Sequence, residues 1–128
     1  MNERTAASEL VAVAKILTAM PMEFNDPSRS DKRWADKSLR AGLRVSNSDR
    51  IVYEYYLTFQ DDRSNKFHYF AVYKNKLGEF VGGNAWGRIG YNPRMIEIAS
   101  GQNQQYVIGL VDKKMRAKRN KGYVVTEV

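Results

Sequence analysis

Large hydrophobic side chains recur at every second position from Ile51 onward. In IVYEYYLTF, five of them share one face, and the residues between share the other. A period of two predicts a β-strand, and aromatic and β-branched residues favour one. Further strands are predicted at KFHYFAVYK, EFVGGNAW and RMIEIA, with a short last one in GYVVTEV. We therefore expect a small antiparallel sheet of four to five strands.

The segments between these strands carry turn residues. QDDRSN and NKLG are predicted turns, and GRIGYNP holds Gly87, Gly90 and Pro93 within seven residues, which predicts a loop. Gly82 and Gly83 fall inside the third strand, where paired glycines indicate a bulge or a close approach of another part of the chain.

A helical period follows the fourth strand. From Gln102 to Arg119, Ile108, Val111 and Met115 fall on one side, with lysines and arginines on the others. This spacing predicts one long basic helix. The expected fold class is α+β.

The start of the chain also has a helical period. Thr5 to Met20 is a predicted helix, with Thr5 as its cap and Pro21 after its end. A secretory signal is the competing interpretation, which Glu3 and Lys15 disfavour.

Residues 21–50 leave two interpretations open. One is a short helix capped by Ser30 and ended at Gly42, and the other is a linker with Trp34 docked on the rest of the protein. We expect residues 1–50 to form an N-terminal helical extension or arm, and residues 51–128 to form the domain.

Composition excludes several classes of site. There is no cysteine and a single histidine, His68, which excludes disulfide scaffolds, thiolate metal sites and cysteine nucleophiles. Asp61 and Asp62 lie in a predicted turn, where paired acids cap or face solvent. Gly82-Gly83 lacks the Lys-Ser/Thr of a phosphate loop. We expect no catalytic residues, no metal and no cofactor, hence no enzyme.

The net charge of +7 is confined to the second half of the chain. Residues 1–64 hold 10 basic and 10 acidic residues, whereas residues 65–128 hold 11 basic and four acidic ones. An excess of this size indicates an anionic partner. Six basic residues lie between positions 113 and 121 with no acid among them, and on a helix they could neutralise several phosphates. They are Lys113, Lys114, Arg116, Lys118, Arg119 and Lys121.

The motif WGRIG at residues 86–90 adds a more specific signal. It follows NKFHYFAVYKN and precedes a basic helix that ends in KGYV. In this order and spacing, these segments resemble the WGR domain, which occurs in DNA-dependent poly(ADP-ribose) polymerases and in bacterial proteins. The resemblance covers roughly residues 65–125. Family members commonly continue after the motif with a Gly-Gln-rich turn, whereas this chain continues with Tyr91-Asn92-Pro93-Arg94.

The resemblance implies a role for each residue of the motif. Trp86 would be a platform that stacks on a sugar near a DNA terminus, Gly87 would keep the backbone clear, and Arg88 would be the polar anchor. The alternatives are that Trp86 closes the core of the sheet and that Arg88 pairs with Glu79 or Glu97.

The expected function is therefore a non-catalytic nucleic-acid-binding module. The resemblance implies DNA ends, nicks or gaps as ligands and a place in DNA repair. The expected location is cytoplasmic and nucleoid-associated, with no membrane partner. The predicted binding residues are the basic tract above together with Trp86, Gly87, Arg88, Tyr91 and Arg94. The alternative function is an adaptor that docks a partner enzyme through the WGR face and the N-terminal helix. The oligomeric state stays open.

Overall fold

The predicted strands form one antiparallel sheet. The computed structural model describes residues 32–46 and 49–126, so the helix predicted at Thr5–Met20 lies outside the described residues. The elements are α1 (Lys32–Leu43), β1 (Arg50–Gln60), β2 (Asn65–Lys74), β3 (Phe80–Arg88), β4 (Arg94–Gly101), α2 (Gln104–Asn120) and β5 (Val124–Val125). The strand order is β4-β3-β2-β1-β5, with every neighbouring pair antiparallel. The predicted α+β class is confirmed.

The third strand is longer than its sequence pattern indicates. Gly87 and Arg88 were assigned to a loop, but they pair with Phe67 and Lys66 of β2. The prediction is wrong at this boundary because hydrogen bonding to β2 outweighs the turn preference of the glycine. The loop begins after Arg88, where Gly90 has φ +91°, a conformation that favours glycine.

The two helices cover opposite faces of the sheet. On one face, Ala35 and Leu39 of α1 pack with Tyr69 and Tyr73. On the other face, the buried side of α2 packs on the sheet, with Val107, Val111 and Met115 against Leu57, Phe70 and Val72. Alternate side chains of the strands therefore point to opposite faces of the sheet, and each face carries an apolar cluster beneath its helix.

Of the two interpretations of residues 21–50, the helix is present from Lys32 to Leu43. Gly42 lies within its last turn rather than ending it, and the predicted cap Ser30 lies outside the described residues. The boundary at residue 50 stays a prediction, although Ala35 and Leu39 of α1 are fully buried against the sheet.

Polar contacts also fasten α1 to its face of the sheet. The carboxylate of Asp36 accepts hydrogen bonds from the hydroxyls of Tyr73 at 2.6 Å and Tyr69 at 3.1 Å. Glu54 accepts from Tyr69 at 2.7 Å and from Lys32 at 2.9 Å. Burial, together with these carboxylates, raises the pKa of both tyrosines. The buried hydroxyls are therefore satisfied, as buried polar groups require.

The glycine pair in β3 has both of the predicted features. The register between β3 and β4 shifts between Gly82 and Gly83. A Cβ at Gly82 would lie 2.5 Å from Cγ2 of Val111, and one at Gly83 would lie 2.8 Å from the carbonyl oxygen of Ile96. These glycines allow α2 and β4 to approach closely.

Candidate nucleic-acid interface

The end of β3 places Trp86 and Arg88 on the face covered by α2. Ala85 belongs to the core beneath α1, so its neighbours in the strand point to the other side. Trp86 pairs with His68 of β2 and with Arg94 of β4. Its indole lies nearly parallel to the imidazole of His68, with centroids 6.0 Å apart and 9° between the planes, and it remains partly exposed. Trp86 is thus packed against a ring of the sheet and partly open to solvent, so neither of the two sequence alternatives is excluded.

Arg88 has neither of the ion pairs that the sequence offered it. Among the described residues, neither Glu79 nor Glu97 forms a salt bridge with it. Glu79 precedes the first residue of β3, whereas Arg88 is the last. The guanidinium of Arg88 instead lies 5.7 Å from the centre of the Tyr91 ring, which is itself 60% exposed. Arg88 is therefore an exposed cation supported by an aromatic ring.

A groove of about 540 Å³ opens around these side chains. It lies between the β1–β2 turn, the end of β3 and the loop that leads to β4. Four of its residues are cationic, and none of its residues is acidic. It is lined by Arg63, Ser64, Asn65, Lys66, Trp86, Gly87, Arg88, Tyr91, Asn92 and Arg94.

Two of these cations, Arg63 and Lys66, are not among the binding residues predicted from the sequence. Lys66 lies directly opposite Arg88 in the β2–β3 ladder, a pairing that needs the register to be known. Arg63 is held by a turn in which Oδ1 of Asp61 accepts from the backbone N–H groups of Arg63 at 2.9 Å and Ser64 at 2.7 Å. These hydrogen bonds are the main cause of the lowered pKa of Asp61. The sequence signal for Arg63 is the predicted turn QDDRSN, in which the paired acids are expected to cap or to face solvent.

The basic tract of α2 divides into two flanks. At 100° per residue, Lys114, Lys118 and Lys121 follow one another along one side of the helix. Burial lowers the pKa of Lys118, and the positive charges of Lys121, Lys114 and Lys66 lower it further. Lys118 therefore lies within reach of the charge of Lys66, which lines the groove, and of the two lysines beside it.

The rest of the tract is not brought to the groove in the same way. Nε of Arg116 lies 2.6 Å from Oδ2 of Asp112, and Oδ1 of the same carboxylate accepts from the hydroxyl of Tyr53 at 2.9 Å. The charge of Arg116 is thereby offset. Arg119 shares this flank by helical geometry, and Lys113 is exposed on the side that faces away from the sheet. Of the predicted tract, Lys118 is the residue that an interaction with Lys66 connects to the groove, and Lys114 and Lys121 are its neighbours.

Comparison with known protein families decides what this fold belongs to. The sequence model of the WGR domain matches residues 53–127, which includes the motif, the groove and α2. The chain belongs to the WGR domain family. Comparison with curated proteins gives no match, and neither does comparison with solved structures.

Membership of the WGR family sets the general kind of function. The WGR domain is a nucleic-acid-binding type of module. It is non-catalytic, and it also occurs as a part of enzymes. Within residues 32–46 and 49–126, no cluster of three or more metal-ligating side chains is present. None of the helices in these ranges is long and apolar enough to cross a membrane.

Proposed function

We propose that this WGR domain binds DNA without catalysis, through the groove around Trp86 and Arg88, and that ends, nicks or gaps are its preferred sites. The family supports the general class of ligand, and the groove supports the particular surface. The proposed context is DNA repair in the cytoplasm, near the nucleoid.

The observation that carries the proposal is the concentration of unpaired positive charge. Lys66 and Arg88 are direct cross-strand neighbours, and like charges in that position destabilise a sheet. Arg94 of β4 pairs with Trp86, so its side chain lies on the same face of the sheet as those of Lys66 and Arg88. No described acid forms a salt bridge with any of the three. A phosphate between them would relieve the repulsion and accept charge-assisted hydrogen bonds.

The aromatic residues supply the second part of the chemistry. The partly exposed indole of Trp86 offers a flat surface for a sugar or a base, and stacking of this kind is sequence-tolerant. In an intact duplex, the bases are already stacked on one another. An interruption of the strand exposes a terminal nucleotide, which supports the preference for ends and nicks.

The lysine flank of α2 extends the charged surface beyond the groove. Lys114, Lys118 and Lys121 would contact phosphates further along the same strand. Contacts to phosphate fix the position of a protein on DNA without reading its sequence. We therefore expect little dependence of affinity on base sequence.

The alternative function is an adaptor for a partner protein, and one observation favours it. Met95 and Ile96 lie on the edge strand β4 and are 38% and 45% exposed, which offers a protein partner some apolar surface. Because the adaptor would dock through the WGR face, its complex with a partner protein should survive changes of the α2 lysines but be lost in Arg88→Ala.

The test compares a relaxed closed-circular DNA with the same circle carrying a single nick. Tighter binding to the nicked circle is expected, together with a loss of about tenfold in affinity for Arg88→Ala, on the scale of a charge-assisted hydrogen bond. The matched control is Lys76→Ala, which removes one exposed charge from the β2–β3 turn at the far end of β2. Equal binding to both circles would refute the preference for interruptions. Absence of binding to either circle at low salt would refute DNA binding and leave the adaptor function.

A further inference from the structure

His68 lies at the centre of a group of aromatic rings beneath the groove. Its imidazole lies nearly parallel to the indole of Trp86 and to the ring of Phe70, whose centroid is 5.6 Å away with the planes 11° from parallel. The ring of Tyr123 meets it edge-on at 5.0 Å. The plane of the imidazole therefore sets the plane in which the indole of Trp86 can pack.

The imidazole is itself held in place. His68 is 5% exposed, and its Nδ1 lies 3.1 Å from Oδ1 of Asn84, which is 7% exposed. An amide oxygen only accepts, so Nδ1 is the donor in this hydrogen bond. Asn84 lies on the same face of β3 as Trp86, two residues earlier. One strand thus provides both the indole and the group that orients the ring beneath it.

Burial, with help from nearby positive charges, keeps the ring of His68 neutral. Burial is the main cause that lowers the pKa of His68 to about 4, and the charges of Lys118, Lys66 and Lys121 add to it, against the opposing hydrogen bond of Asn84. A neutral imidazole can stack on an indole like any other flat ring. It also adds no further charge to a surface that is already cationic.

We propose that His68 is a positioning residue for Trp86: its ring lies nearly parallel to those of Phe70 and Trp86, it is anchored by Asn84, and it holds the indole in a fixed plane at the edge of the groove. This rests on the proposed function for its effect on DNA. The orientation of Trp86 itself can be measured in the free protein.

The test uses a chain in which Trp86 is the single tryptophan. Trp34→Phe removes the only other one, and time-resolved fluorescence anisotropy then reports the motion of Trp86 alone. His68→Leu fills the space without a flat ring, and we expect greater rotational freedom of the indole and an affinity for a nicked duplex lower by about fivefold, a part of the contribution of one stacked base. His68→Phe restores a flat ring, and both properties should return to within about twofold of the parent chain.

Two further variants separate positioning from general loosening of the fold. In a Trp86→Phe chain, the anisotropy of Trp34 should be unaffected by His68→Leu. If His68→Leu does not fold, Asn84→Ala removes the anchor and leaves the imidazole, and it should also increase the motion of Trp86. Unchanged anisotropy of Trp86 in the folded variants would overturn the inference, whatever happens to DNA binding. If the parent chain binds no DNA while the anisotropy changes as expected, the proposed function fails and the positioning role stands.

Discussion

The two faces of the sheet use charge in opposite ways. Beneath α1, Nζ of Lys32 lies 2.9 Å from Glu54, and the guanidinium of Arg40 lies 3.0 Å from Asp36. On the α2 face, Lys66 and Arg88 face each other, and no described acid pairs with either. The ion-paired charges hold α1 on the sheet, whereas the cations without an acidic partner on the α2 face need an external anion.

The largest effect is expected on the α1 face, where the loss of an ion-paired acid should lower the free energy of unfolding. Asp36→Ala would take from the hydroxyl of Tyr73 its acceptor at 2.6 Å. It would also remove one acceptor from the guanidinium of Arg40 and one from the hydroxyl of Tyr69, which keeps Glu54 at 2.7 Å. Loss of a buried polar partner of this kind costs about 3 kcal/mol. Urea unfolding should show a lower midpoint at an unchanged slope. Asp36→Asn, which keeps one acceptor oxygen, should cost less, and an equal loss in both variants would remove the hydrogen bonds as the cause.

A loss of stability at low pH is expected on the α2 face of the sheet. The pKa of His68 in the folded chain, about 4, is below its ordinary value of 6.5. As the pH falls from about 6.5 to 4, the unfolded chain takes up a proton and the folded chain does not, so this contribution to stability is lost. We expect about 2 kcal/mol after allowance for screening by solvent. His68→Phe should remove this component, measured as the difference in unfolding free energy between pH 7 and pH 4.5.

The lysines of α2 should differ according to the flank they occupy. Lys118→Glu places an acid beside the groove and should weaken binding to a nicked duplex by about tenfold, on the scale of a close charge contact. Lys113→Glu makes the same change of charge on the outer side of the helix and should weaken it by about twofold. Equal losses, measured by fluorescence polarisation at one salt concentration, would mean that total charge rather than position governs binding.

The smallest effect is expected where a cation on the α2 face is already paired. Because Asp112 offsets Arg116, Arg116→Ala should change DNA affinity by less than about twofold, as for an exposed ion pair. A loss as large as that of Lys118→Glu would place Arg116 in the interface. It would also contradict the rule that paired charges on this protein serve the fold.

Much of the fold could be predicted from local patterns. The strands followed from the period of two, and α2 from the spacing of its apolar residues, because both are properties of neighbouring positions. The close approach at Gly82 and Gly83 was also predicted. The end of β3 was not, because its pairing with Lys66 depends on the register of two strands.

The candidate site was predictable in its motif and less so in its surroundings. Trp86 and Arg88 were found because they form a recognisable tripeptide. Arg63 and Lys66 were missed because only the folded hairpin brings them to Arg88. The division of the basic tract into flanks could not be predicted, because it depends on which side of α2 is buried against the sheet. The role proposed for His68 depends on Trp86 and Tyr123, which come from other parts of the chain and which no spacing in the sequence brings to it.

The central claim is that the cations of the groove contact phosphates. The salt dependence of DNA binding tests it most directly. The logarithm of the binding constant should fall linearly with the logarithm of salt concentration, with a slope of about −3 or steeper if four groove cations take part. Arg88→Ala should make the slope shallower by about 1, whereas Lys76→Ala should leave it unchanged. A slope that is the same in the parent chain and in Arg88→Ala would contradict the claim.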